Sequence, residues 1–171
     1  TLGTGSSILM NIGSKPKTSQ HGMVTTICWS TEDRVDYALE GIIVSAGATI
    51  EWVKNQLGLF ENAADLEKIC YSLPDNGGVY IVPAFSGLGA PHWDMKRKAS
   101  IEGLSFDSTK NHVIRAAVES VPYQIKDVIS AMEADSGTPL SELKIDGGIT
   151  ANKFVLQFLA DLLERKVTNI A

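Results

Sequence analysis

The chain has 171 residues, enough for one domain with its own core or for part of a larger fold. Hydrophobic residues make up 44% of it and the net charge is −5, which suits a globular protein and argues against nucleic acid or an anionic membrane surface as a partner. No apolar run approaches the ~20 residues of a membrane span, so we expect a cytoplasmic protein with neither membrane nor nucleic acid as partner.

The first half of the chain predicts strands followed by helices. Three strands rich in β-branched residues, joined by tight turns, are typical of an antiparallel meander, and they are predicted at 7–12, 23–30 and 35–47. A helix is expected over 46–57, where Gly58 is a stop signal, and a shorter helix over 63–73.

The second half predicts a hairpin, a long helix and a final strand–helix–strand unit. The strands are expected at 77–85, 98–106, 140–145 and 165–171. The long helix spans 109–134, and Pro122 should kink it or split it in two. Apolar residues recur at helical spacing from Ala151 onward, with Thr150 as the N-cap. This order of elements predicts an α/β fold with a mixed sheet.

The positions of the cysteines and histidines do not indicate a metal site. Cys28 and Cys70 lack metal-type spacing, which favours two buried free thiols in a reducing cytoplasm, although the sequence alone leaves a disulfide open. The three histidines are scattered, so no metal site is predicted. Of these, His112 is expected to cap or pack at the start of the long helix.

Three glycine-bearing stretches could contact a phosphate: TLGTGSS (1–7), SAGATIEW (45–52) and DGGITAN (146–152). Glycine lets another group approach the backbone closely, and free amides at a turn or a helix N-terminus attract anions. Each stretch alone is more typical of a plain turn or of packing. Their order along the chain matches one half of an actin-like ATPase, in which a nucleotide lies between two halves. No Walker-type phosphate loop is present.

The chain resembles the C-terminal domain of the FGGY family of carbohydrate kinases. The stretches that carry the resemblance are GTG with LMNIG (3–13), VDYALEG with AGATIEW (35–52), VYIVPAFSGLGAPHWD (79–94), ASIEGLSFDSTKNHVIRAAVE (99–119) and DGGITAN (146–152). The resemblance implies an actin-like, ribonuclease-H-like domain with a mixed sheet and flanking helices. It also implies that 1–171 is the nucleotide-binding domain, truncated at both ends, with the N-terminal substrate domain lying outside it.

The resemblance implies six nucleotide-binding residues, namely Gly3, Thr4, Gly47, Glu51, Gly148 and Asn152. Gly3 and Thr4 would face the terminal phosphates of ATP, and Gly47 would line the cleft. Gly148 and Asn152 would hold the α-phosphate and the adenosine side. In this interpretation the Gly-Gly pair lets a nucleotide rest against the backbone.

Two residues depart from the pattern of the glycerol-phosphorylating members, which the chain resembles most. Glu51 stands where they usually carry Gln, and a carboxylate near a polyphosphate is unfavourable unless it points away or meets the metal. Ser7 stands where they carry an aromatic residue against the substrate, which would suit a larger sugar, unless Ser7 only packs in its hairpin. Glycerol is the first choice of substrate, and xylulose or another sugar is the alternative.

The chemistry implied is phosphoryl transfer with ATP and Mg²⁺, in which a carboxylate orients the attacking hydroxyl. The family's carboxylate is an aspartate upstream of the phosphate turn, so no catalytic residue is assigned within 1–171 and the fragment alone should be inactive. The parent enzyme is expected to be a homo-oligomer. The alternative from another class is a non-catalytic nucleotide-binding module of the actin or Hsp70 type. A Rossmann oxidoreductase is less favoured, because no G-x-G-x-x-G follows a first strand.

Overall fold

The computed structural model describes residues 1–170 and has an α/β architecture, as predicted. Its elements are β1 (Ser6–Gly13), β2 (Val24–Ser30), β3 (Val35–Ile43), α1 (Gly47–Asn55), α2 (Leu66–Tyr71), β4 (Tyr80–Val82), β5 (Ser100–Glu102), α3 (Lys110–Ser136), β6 (Glu142–Ile145), α4 (Lys153–Leu163) and β7 (Lys166–Asn169). Short 3₁₀ turns precede α2 and α4, at Ala63–Asp65 and Gly148–Ala151. None of the helices within 1–170 combines the length and apolar character needed to cross a membrane.

The first three strands form an antiparallel sheet in the order β1–β3–β2. The predicted meander is therefore wrong in strand order, since a meander would place β2 in the middle. The burial of the strands gives the reason. The side chains of β3 are mostly buried, including Ala38, Leu39 and Ile43, whereas β2 is mostly exposed or half-buried and suits an edge.

The other four strands form two small sheets. β4 and β5 pair antiparallel, over three residues each, which is much shorter than the predicted strands at 77–85 and 98–106. β6 and β7 pair parallel, with α4 as the crossover between them. The parallel and antiparallel pairs of the predicted mixed sheet thus lie in separate sheets. A hydrogen bond of 2.8 Å from the amide of Leu2 to the carbonyl of Asp146 connects the first sheet to the parallel unit.

The long helix α3 runs through Pro122 as one element of 27 residues, so of the two predicted outcomes, a kink or a split, the split is wrong. Buried residues on both sides of Pro122, including Val118 and Ile125, pack against the core and hold the helix together where a backbone hydrogen bond is lost. As predicted, His112 caps the helix start: its Nδ1 accepts the amide hydrogen of Thr109 at 3.0 Å.

The buried side chains form two clusters on either side of the turn that precedes α4. One cluster lies between the three-stranded sheet, the C-terminal half of α3, and β6. The other lies between α1, α2, β4 and the N-terminal half of α3. Ile149, in the 3₁₀ turn before α4, packs against both clusters. The glycine turn at 146–149 is therefore placed at the junction of the two halves of the core.

The loop between β1 and β2 is held by one buried carboxylate at the C-terminal end of α3. The side chain of Asp135 is 2% exposed and accepts hydrogen bonds from the hydroxyl of Ser19, from Nδ1 of His21 at 2.7 Å and from the amide of Gln20 at 2.8 Å. Burial by itself raises the pKa of Asp135, but the hydrogen bonds from these groups outweigh it and the pKa is lowered.

The free energy of unfolding should depend on pH through the ionisation of Asp135. Because the pKa of Asp135 is lower in the folded state than the unfolded value of about 3.9, its stabilisation is complete above that value and is lost as the pH falls through the folded pKa. We expect Asp135→Asn to lower the free energy of unfolding of the full-length protein at pH 7. Between about pH 5 and 3 the free energy of unfolding should fall less in the variant than in the parent, because the variant has no carboxylate to protonate at this position. Urea unfolding across this range measures both effects, and parallel curves for the two proteins would contradict the assignment.

Gly147 should tolerate no side chain. Its φ is +104°, and a Cβ built on it would lie 2.4 Å from the carbonyl oxygen of Leu2. Gly148 is the matched control, because a Cβ there meets nothing within 4 Å. In the full-length protein we expect Gly147→Ala to lower the free energy of unfolding by about 2 kcal/mol or more, and Gly148→Ala to change it by less than about 1 kcal/mol. Equal effects in urea unfolding would show that the contact with Leu2 does not constrain the turn.

Candidate functional site

Three segments distant in sequence meet through their backbones at the candidate site. The amide of Leu2 donates to the carbonyl of Asp146 at 2.8 Å, and the amide of Gly47 donates to the carbonyl of Gly3 at 3.0 Å. The carbonyl of Thr4 accepts two further hydrogen bonds at the start of α1, from the amides of Ala46 at 2.9 Å and Ala48 at 3.1 Å. The turn at 2–5 therefore lies between the N-terminus of α1 and the turn that follows β6.

Glycines make this close approach possible. A Cβ at Gly47 would lie 2.8 Å from the carbonyl oxygen of Gly3, and one at Gly147 would overlap the backbone of Leu2. The two glycines of the 147–148 pair differ in their surroundings, since only Gly148 faces open space. The first glycine of the pair thus serves the packing of two backbone segments, and the second leaves room for a ligand.

A pocket of about 600 Å³ opens at this junction. All six residues that the resemblance implies for the nucleotide line it: Gly3, Thr4, Gly47, Glu51, Gly148 and Asn152. The rest of the wall is mostly apolar and includes Leu2, Ile50, Ala63, Leu66, Ile149 and Val155. The pocket can therefore offer an apolar surface to a flat ring and backbone groups to an anion.

Thr4 and Gly148 each bring a free amide to the pocket. Within residues 1–170, neither the amide of Thr4 nor that of Gly148 donates a hydrogen bond to the protein. The carbonyls of Gly3, Thr4 and Gly147 in the same turns accept hydrogen bonds, which helps to fix these turns before any ligand arrives. Free amides of this kind are suitable donors to phosphate oxygens.

The N-terminus of α4 is capped by Asn152, and the predicted cap Thr150 is wrong. The side-chain oxygen of Asn152 accepts from the amides of Phe154 at 3.0 Å and Val155 at 3.4 Å. The helix begins later than predicted because a 3₁₀ turn, Gly148–Ala151, comes first. Thr150 lies inside this turn, where its hydroxyl donates to the carbonyl of Gly147 at 2.7 Å.

Glu67 of α2 also contacts the N-terminus of α4, which the sequence analysis missed. Its Oε2 accepts a hydrogen bond of 2.9 Å from the amide of Lys153, and the residue lines the pocket. The two residues are 86 positions apart, and no local motif marks either of them. With Asn152 and Glu67 in place, the first amides of α4 are used within the protein and do not reach the pocket.

The pocket carries negative charge and no balancing cation. Glu51 and Glu67 line it, and none of the lining residues within 1–170 is Lys or Arg. Oε2 of Glu51 accepts from the side-chain amide of Asn55 at 3.1 Å, one turn along α1. This contact agrees with the alternative in which Glu51 points along its helix and away from a polyphosphate.

A buried ion pair holds the pocket wall formed by α2. Nε of Arg115 lies 2.7 Å from Oε1 of Glu119, and Nη1 donates to the carbonyls of Cys70 at 3.0 Å and Leu73 at 2.6 Å. The guanidinium also lies 5.0 Å from the ring centre of Phe154, at the start of α4. Arg115 thereby links the C-terminal end of α2 to both α3 and α4.

Ser7, which the resemblance places near the substrate, lies away from this pocket on the three-stranded sheet. Its hydroxyl donates to Oε1 of Glu40 on β3 at 2.6 Å. The side chains of Leu9 and Ile42 are exposed beside this pair. The structure therefore does not bring Ser7 together with the six pocket residues.

Neither cysteines nor metal-ligand clusters contribute a reactive centre to the described part of the chain. Cys28 and Cys70 are free thiols, as predicted, but only Cys70 is buried. Burial raises the pKa of Cys70 to about 12, so this thiol is unreactive at neutral pH. Within residues 1–170 no three His, Cys, Asp or Glu side chains are grouped so as to hold a metal ion.

The known proteins that are similar to this chain include glycerol and xylulose kinases. The chain is 54% identical over 163 residues to a glycerol kinase of Carboxydothermus hydrogenoformans, covering 95% of this chain and 33% of that protein. The crystal structure of Plasmodium falciparum glycerol kinase with ADP superposes with a TM-score of 0.90 at 36% identity, over 98% of this chain and 33% of that one. A ligand-bound xylulose kinase of Lactobacillus acidophilus shares the fold, with a TM-score of 0.84 at 22% identity, over 98% and 34% of the two chains.

The family match defines a domain of the carbohydrate-kinase class, and its fold is the one seen in the glycerol and xylulose kinase structures. Residues 1–171 match the C-terminal domain of the FGGY family of carbohydrate kinases, and the chain belongs to this family. Within the family the domain is of the glycerol kinase-like type. The chain spans about a third of the length of the relatives that it matches.

The Asn152 cap should be measurable by unfolding. We expect Asn152→Ala in the full-length protein to lower the free energy of unfolding by about 1 kcal/mol, because two amides of α4 lose their acceptor. Asn152→Asp is the control, since aspartate caps a helix as well as asparagine does, and it should keep the stability of the parent. Equal stability of all three proteins would mean that Glu67 alone satisfies this end of α4.

Proposed function

We propose that the full-length protein transfers the γ-phosphoryl group of ATP to a hydroxyl of glycerol, giving glycerol 3-phosphate, and that this chain supplies one side of the ATP site. The observation that carries the proposal is the convergence of six residues from three separate motifs on one pocket of about 600 Å³. A relative solved with ADP and relatives named as glycerol kinases support it.

The polarity of the pocket suggests how the nucleotide lies. The free amides of Thr4 and Gly148 are the groups best placed for phosphate oxygens. Glu67 would repel a phosphate near the start of α4. We therefore place the terminal phosphates beside Thr4 and the nucleoside against the apolar wall near Asn152.

We propose that Mg²⁺ enters with the nucleotide and is held mainly by its phosphates. This suits a pocket without a cluster of three ligating side chains in the described part of the chain, since Mg²⁺ in kinase sites is commonly bound through one or two carboxylates, phosphates and water. The ion would spread the negative charge of the phosphates. The carboxylate that orients the substrate hydroxyl is proposed to be an aspartate preceding Gly3 in the full-length protein, so residues 1–171 alone should not catalyse the transfer.

Glycerol is preferred to xylulose as the acceptor because of the similarity pattern. Identity is about 50% or more with several glycerol kinases, against 22% with the xylulose kinase whose fold is shared. The observation in favour of a larger sugar is Ser7, whose hydroxyl pairs with Glu40 and gives the sheet a polar surface there. The full-length protein is further proposed to be a cytoplasmic homo-oligomer. An actin- or Hsp70-like module would bind ATP without phosphorylating any acceptor.

The test uses the full-length protein with Mg-ATP and a panel of glycerol, xylulose and other polyols. We expect ATP-dependent phosphorylation of glycerol, lost when Mg²⁺ is removed by a chelator. Gly148→Val should raise the KM for ATP about ten-fold or more, because its side chain fills the space beside a free amide, whereas Gly148→Ala should have a smaller effect.

Two results would overturn the proposal. Phosphorylation of xylulose but not of glycerol would show that the alternative substrate, xylulose, is the acceptor. ATP binding without transfer to any polyol would favour the non-catalytic module. Thermal unfolding of Gly148→Val is the control that shows whether the variant is folded. A folded variant with an unchanged KM for ATP would show that Gly148 does not belong to the nucleotide site.

A further inference from the structure

We propose that Glu67 recognises the sugar of the nucleotide: its carboxylate accepts a hydrogen bond from a ribose hydroxyl and makes the pocket prefer ATP to 2′-deoxyATP. The role rests on the proposed function, since a pocket that holds no nucleotide has no ribose to recognise. Glu67 is half-buried, lines the pocket and belongs to none of the three glycine motifs.

The geometry leaves one oxygen of Glu67 for a ligand. Oε2 is held by the amide of Lys153 at 2.9 Å, and within residues 1–170 Glu67 makes no other hydrogen bond. Oε1 is therefore open to accept. Because the carboxylate is already anchored to a helix amide, little side-chain freedom is lost when a ligand binds.

The charge of Glu67 selects the part of the nucleotide that it can contact. An ionised carboxylate only accepts hydrogen bonds and repels phosphate oxygens, so its partner must be a hydroxyl or an amine. The anchor, Lys153, directly follows Asn152, which we place beside the nucleoside. In dinucleotide-binding folds, too, a carboxylate holds a ribose hydroxyl.

The position of Glu67 is fixed from both ends of its short helix. The contact with Lys153 holds the first turn of α2 against α4, and Arg115 holds the last turn through the carbonyls of Cys70 and Leu73. Glu51, the other carboxylate at the pocket, is engaged by Asn55 on its own helix. The donor to Glu51 is a side chain, whereas the donor to Glu67 is a backbone amide of another helix, so Glu67 has the more firmly fixed carboxylate of the two.

The experiment compares KM for ATP and for 2′-deoxyATP in the full-length protein and in two variants. We expect the parent to prefer ATP about ten-fold, as suits one hydrogen bond to a charged group. Glu67→Ala should raise the KM for ATP about ten-fold and leave that for 2′-deoxyATP nearly unchanged, so that the preference disappears. Glu67→Gln keeps an oxygen for the amide of Lys153, and it should fold normally with a reduced preference.

Several outcomes would overturn this role. A residue that only supports the wall would raise both KM values together and keep their ratio in both variants. If the variants instead erase a preference for ATP over inosine triphosphate, the contact is with the base amine. Glu61→Gln, at an exposed site outside the pocket, should change neither KM. A parent that binds no nucleotide refutes the proposed function as well, whereas a parent that binds ATP with an unaltered ratio in both variants refutes the role of Glu67 alone.

Discussion

The site depends on a contact between backbones. The turn at 2–5 touches the turn at 146–149 through the amide of Leu2 and touches the start of α1 through the carbonyl of Gly3. A Cβ at Gly47 or Gly147 would come within 2.8 Å of these backbone atoms or closer. Since most side chains would separate the three segments, the pocket exists because glycine occupies these positions. The two core clusters then hold the segments from either side.

The walls of the pocket depend on longer-range polar contacts. Helix α2 has only six residues and would be marginal by itself. It is held at its first turn by the hydrogen bond between Glu67 and the amide of Lys153, and at its end by the buried guanidinium of Arg115. The charge of Arg115 is balanced by Glu119, so the pair can be buried without an unpaired charge. These contacts give a short helix a fixed position opposite α4.

The sequence predicts what is local and fails where partners are distant. Hydrophobic periodicity and turn residues locate most strands and helices, including α3 and the strand–helix–strand unit at the end. Adjacent tight turns favour a meander, but the order is β1–β3–β2, and the side chains of β3 are buried more deeply than those of β2, as suits a central strand. The sequence predicts Thr150 as the cap because it gives no clear signal of the 3₁₀ turn that precedes α4, so the helix is expected to begin too early. The resemblance to family motifs predicts the six pocket residues. It does not predict Glu67, because the partner of Glu67 lies 86 positions away and no local motif marks the contact.

The electrostatics of the pocket place a limit on what this domain can do by itself. A nucleotide polyphosphate is strongly negative, yet the pocket presents Glu51 and Glu67 and no basic side chain among its described lining residues. The free amides and the apolar wall do not neutralise that charge, so the proposed function calls for compensation by Mg²⁺ and by further basic groups. In the proposed kinase these groups would belong to the other domain. Tight binding would then require both domains together, which couples nucleotide affinity to closure and keeps water from the phosphate until the acceptor is in place.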